Sequence, residues 1–152
     1  MEVGGRVINQ EVKPRNIFGE DGELLAIFIP GNYTPGAVEF ITEPKNTFQV
    51  AIMKRSPKTP AIAHFHNNLN RNIVGTQEYL LVRKGIAIIN LLDFTGKILE
   101  ELQLNVNDSV LLVAGGHEIS FSDDCVLLEV KQGPYEQNLD KSPIVISGNG
   151  KQ

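Results

Sequence analysis

Six short runs of aliphatic and β-branched residues, each closed off by turn-forming residues, constrain the fold of this chain more than anything else in it. Leu24–Ile29, Phe48–Met53, Tyr79–Val82, Ile86–Leu92, Ser109–Val113 and Val126–Val130 carry side chains that suit a pleated, half-buried surface. Between them stand Pro30-Gly31-Asn32, Thr34-Pro35-Gly36, Lys84-Gly85, Asp93–Gly96, Asn107-Asp108 and Asp123-Asp124, all turn chemistries. Few windows place apolar residues at i, i+3, i+4 and i+7, and Pro or Gly interrupts those that do. At most a short turn of helix is expected. Strands at hairpin spacing predict an all-β sandwich or barrel. Leu80–Val82 and Ile86–Leu92 are apolar on both faces, which predicts cover on both sides: a barrel interior on one, a second sheet or a partner subunit on the other.

The chain of 152 residues fits a single domain over residues 1–152, large enough to bury a core without disulfides. No repeat or linker divides it, and the small polar residues of Ser142–Gln152 read as a frayed, flexible tail. A hydrophobic content of 41% with 21% charged residues is that of a soluble globular protein. No apolar run approaches the ~20 residues that span a bilayer, so no membrane partner is expected. The first residues lack the basic stretch and apolar core of a secretory signal, and Cys125 is the one cysteine, so a reducing, cytoplasmic setting is expected. Cys125 follows Asp123-Asp124, a setting for a small strand residue rather than a reactive thiolate. A net charge of −4 argues against nucleic acid, and Lys54–Lys58 reads as a solvated loop.

The chain has three histidines, and two stand at i and i+2 as His64-Phe65-His66. On an extended segment these point to one side, with α-carbons roughly 6.5 Å apart, close enough for both rings to reach one ion. Glu78 follows, and His117 arrives later, after Ala114-Gly115-Gly116. A double Gly can adopt the backbone angles that aim His117 inward.

The order His64-x-His66, then Glu78 with six residues to Gly85, resembles the first cupin motif. Asp108 through His117 resembles the second. The likeness covers roughly 48–132, with eleven residues between His66 and Glu78. It implies a single-domain cupin, a double-stranded β-helix or jelly-roll barrel with its core motifs at 60–132. It also implies that His64, His66, Glu78 and His117 ligate one divalent transition metal. Imidazole and carboxylate donors suit Zn, Mn, Fe or Ni and leave a position open for water or substrate.

A second cluster is Glu129-Val130-Lys131-Gln132-Gly133-Pro134-Tyr135. Alternation puts Leu127, Glu129 and Lys131 on one face of that strand and Val126, Leu128 and Val130 on the other. The polar face could meet solvent or a wet barrel interior. This string, with His64-x-His66 and Asp140-Lys141, resembles the WbuC-like and WxcM-like cupins of surface-polysaccharide and sugar-nucleotide pathways. The resemblance implies a small carbohydrate ligand and an enzyme that isomerises or epimerises a sugar or sugar nucleotide. Glu129, Lys131 and Tyr135 are then candidate acid or base groups, and His64 or His66 could serve as base without a metal. Arg71 could clamp a carboxylate or phosphate, or be a solvated loop residue. A non-catalytic sugar-binding module and a metal-dependent dioxygenase are the alternative readings. Cupins commonly pair through edge strands, which implies a homodimer, with Val7-Ile8 and Leu24–Ile29 as candidate edges.

Overall fold

A computed structural model describes residues 12–147. Ten strands follow in order: β1 (Arg15–Phe18), β2 (Leu24–Ile29), β3 (Val38–Phe40), β4 (Ala51–Met53), β5 (Glu78–Lys84), β6 (Ala87–Leu92), β7 (Ile98–Leu104), β8 (Ser109–Leu112), β9 (Gly116–Phe121) and β10 (Val126–Lys131). No helix occurs among the described residues, so the protein is all-β, as the turn-punctuated runs predict. Among the described residues, therefore, no helix is long and apolar enough to cross a membrane.

Every named pairing is antiparallel. One sheet has the order β1-β2-β8-β5-β10, a second β7-β6-β9, and β3 and β4 form a separate pair. The expected edge at Leu24–Ile29 is corrected by this order, because β2 lies between β1 and β8 and both its flanks are bonded. Val7-Ile8 lies outside the described residues.

The two larger sheets close on a core of Ala26 and Phe28 from β2, Leu80 and Val82 from β5, and Val110 and Leu112 from β8. They face Ala87, Ile89 and Leu91 from β6 and Leu102 and Leu104 from β7. Period-two alternation explains the selection: in β5, Glu78, Leu80 and Val82 are buried while Tyr79 and Leu81 are half-buried. On the opposite face of the five-stranded sheet, Ile27, Ile29 and Leu111 pack with Ile41, Phe48, Val50, Ile52 and Tyr79. The expected cover on both faces is thus present for β5, with the β3–β4 pair supplying the outer layer.

The run Phe48–Met53 contributes only Ala51–Met53 to a strand. Gln49 turns instead to the preceding loop, donating to the carbonyls of Asn46 at 2.6 Å and Glu43 at 3.0 Å. After Met53 the chain forms no strand until Glu78, and residues 54–76 are exposed throughout.

Candidate functional site

Three strands converge on one end of the core. Glu78 opens β5 on its inner face, only 6% exposed, and pairs across the ladder with Leu112 of β8 on one side and Lys131 of β10 on the other. His117 of β9 pairs with Leu91 of β6 and so shares the inner face of the second sheet. Its Nε2 lies 3.2 Å from Glu78 Oε2, a bridge between the two sheets. The turn before it explains the aim. Gly115 has φ +75°, a left-handed angle that L-residues rarely adopt, and a Cβ there would meet the Leu92 carbonyl oxygen at 2.7 Å.

Lys131 completes the cluster. Its Nζ lies 3.4 Å from Glu78 Oε1, 3.3 Å from Asp140 Oδ2 and 3.4 Å from Glu129 Oε1. It also stands 5.3 Å from the centre of the Tyr135 ring, within cation–π range. Thr76 Oγ1 donates to the other Asp140 oxygen at 3.4 Å, and Gln77 N donates to Gln132 Oε1 at 2.7 Å. These contacts tie the start of β5 to the segment after β10.

The electrostatics follow from this packing. The hydrogen bond from His117 lowers the Glu78 carboxyl; burial opposes it, and the charges of His117 and Lys131 add to it, leaving a pKa of about 2. Burial alone would depress Lys131, but Asp140, Glu129 and Glu78 outweigh it and raise the ammonium above its ordinary value. Glu78 and Lys131 are therefore held ionised at neutral pH. Burial raises the Cys125 thiol, in keeping with an unreactive strand residue.

A cleft of about 500 Å³ opens over Glu78 and His117. Its floor is Leu112–Gly116, and its far wall is Leu139–Ser142 with Ile144. The segment expected to be a frayed tail from Ser142 onward is in contact with the body as far as it is described. Ser147 N donates to Gly96 O at 2.9 Å, and Lys97 and Ser147 form a parallel bridge.

The chain matches no family model, no curated protein and no solved structure. Of the four expected metal ligands, Glu78 and His117 meet. His64 and His66 do not join them, because they lie in the exposed stretch between β4 and β5, outside any strand. Their rings are nonetheless neighbours, edge to face with centroids 5.1 Å apart, and His64 Nδ1 lies 2.7 Å from the Ile62 carbonyl. Among the described residues, no three His, Cys, Asp or Glu side chains are grouped to hold a metal ion. The four therefore stand as two separate pairs, Glu78 with His117 and His64 with His66.

The candidates Lys131, Glu129 and Tyr135 are brought together, with Lys131 inward and the other two partly or largely exposed. Arg71 is exposed in the same stretch as His64 and His66, and no contact ties it to the cleft. The charged face of β10 is the inward one. Leu127 packs on the core and Lys131 reaches Glu78, while Val126, Leu128 and Val130 face outward. Sequence reasoning missed Asp140 and Thr76 as partners. Asp140-Lys141 was visible only as part of a resemblance, and no local pattern links Thr76 to it.

Proposed function

We propose that the chain is a cupin-like barrel protein that binds a small sugar or sugar nucleotide in the cleft and isomerises or epimerises it by proton transfer at carbon. The observation that carries this reading is the Glu78–His117 contact at the mouth of a polar cleft. With Nε2–H donated to an ionised carboxylate, His117 keeps Nδ1 as its basic nitrogen. Glu78 then stabilises the imidazolium that forms when a proton is taken up. Lys131 compensates the buried carboxylate, and Thr76, Lys141 and Ser142 give the walls hydroxyl and ammonium donors for a polyol.

Nucleotide-linked sugars incubated with the protein in heavy water test the reading, with and without added zinc or manganese. Deuterium is expected at a sugar carbon without added metal, and His117→Asn should lower its incorporation at least about 100-fold at a temperature where far-ultraviolet dichroism shows the variant still folded. A sugar that binds and takes up no deuterium under either condition would leave a non-catalytic binding module. The paired rings of His64 and His66 favour a second reading, in which they join Glu78 and His117 around a metal. Incorporation that needs added metal and is lost in His64→Ala would replace the first reading with that one.

A further inference from the structure

Charge is spread unevenly along the chain. Residues 54–76, the exposed connection between β4 and β5, hold Lys54, Arg55, Lys58 and Arg71 and none of the eighteen acidic residues; the nearest are Glu43 and Glu78. The whole-chain charge that weighs against nucleic acid is thus an average over an acidic body and a basic connection. Although the body is acidic, none of these four cations has an ion pair among the described residues. From Ala61 to Gly75 the main chain makes no hydrogen bond with another main-chain group among those residues either. The side chains there are flat or carry amides. Phe65, 87% exposed, stands between His64 and His66, and Asn67, Asn68, Asn70 and Asn72 follow. With Nδ1–H donated to the Ile62 carbonyl, His64 keeps Nε2 as an acceptor.

We propose that residues 54–76 bind single-stranded nucleic acid, with Lys54, Arg55, Lys58 and Arg71 on phosphates and Phe65 stacked on a base. The features of the connection select this occupant over other anions. Its cations are set apart along the chain, at 54–58 and at 71, which suits a linear polyanion rather than one small anion. Lipid headgroups would supply the charge, but open main-chain groups and four amides find no partners in a bilayer. Base edges offer donors and acceptors to both. An acidic polypeptide supplies carboxylates and no flat faces for the exposed ring. A duplex hides its base faces and is too stiff to follow the connection clear of the acidic body, whereas a single strand exposes its bases and bends. The site is separate from the cleft and stands whichever reading of the cleft holds.

Fluorescence anisotropy of a labelled oligothymidylate of about 20 nucleotides, titrated with the full chain in the presence of a chelator, tests the proposal. Half-saturation is expected at about 10 μM in about 50 mM salt, and log K should fall against log salt with a slope of about −3, as four neutralised phosphates require. Phe65→Ala should weaken binding about 10-fold and keep that slope, because the ring carries stacking and no charge. Replacing Lys54, Arg55 and Lys58 together by Gln should bring the slope to about −1. All four side chains are exposed, so the melting curves should match the parent's. Lys84→Gln, at the exposed end of β5 and outside the connection, should leave affinity and slope unchanged. The proposal is overturned by a flat titration up to about 200 μM protein. It is overturned equally by binding that ignores Phe65→Ala, or by a duplex of the same length, polyglutamate or phosphatidylglycerol vesicles competing as well as the single strand.

Discussion

Glu78 shows how one buried carboxylate organises its surroundings. Left alone at this depth it would keep its proton, since desolvation disfavours the charged form. His117 and Lys131 reverse that outcome and bring its pKa down to about 2. The folded state therefore binds this proton more weakly than the unfolded chain, whose ordinary value is 4.5. The resulting stabilisation is complete above that ordinary value and is lost as pH falls through the folded one, on the order of 2 kcal/mol. Urea unfolding at pH 7 and pH 3 should register the loss. In Glu78→Gln the acid-dependent part should vanish, and the variant should already be weaker at pH 7 by about 2 kcal/mol, because Lys131 loses a buried partner. An unchanged acid slope in that variant would assign the effect to another carboxylate.

At the level of elements, the turn from β8 to β9 does most to place the site. Gly115→Ala must hold a left-handed φ and push a Cβ to 2.7 Å from the Leu92 carbonyl oxygen, whereas a Cβ at Gly116 meets only side-chain carbons, those of Leu92 at 3.3 Å and Ile144 at 3.8 Å. A melting series should therefore show Gly115→Ala losing about 2 kcal/mol or more. Gly36→Ala, with open space around its Cβ, should be close to neutral. Equal effects at the two positions would mean that the close approach is not what the glycine serves. Much of this layer was legible in advance, and the reasons differ by element. β2, β6 and β8 are aliphatic enough to declare themselves, and the double Gly before His117 announced a special backbone. β7 has no aliphatic run to declare it, because Glu100, Glu101 and Gln103 interrupt it, although Leu102 and Leu104 alternate into the core. The face of β10 was undecidable from its own residues. Leucine lies on both sides of it, and only the position of Glu78 shows that Lys131 turns inward.

Over the whole molecule, one core couples both large sheets while a second lies behind the five-stranded one. Leu104 on β7 is fully buried in the shared core. Leu104→Ala should cost about 2–5 kcal/mol and lower the midpoints of far-ultraviolet dichroism and tyrosine fluorescence together, because Tyr79 packs in the other cluster across the same sheet. Midpoints that separate would show two independently melting units. Periodicity made the all-β class legible, but it could not say which strands neighbour one another. It also could not show that the stretch carrying His64 and His66 stays outside the strands: a His-x-His spacing places two rings side by side, and backbone pairing alone decides where that pair goes. The ladder of β5 has a last consequence. Glu78 faces the cleft by the same alternation that sends Leu80 and Val82 into the core, so slipping the strand by one residue would turn Tyr79 inward and the carboxylate out. Correct assembly and a competent cleft are thus one event, and the chain has no way to be wrongly threaded and still present its site.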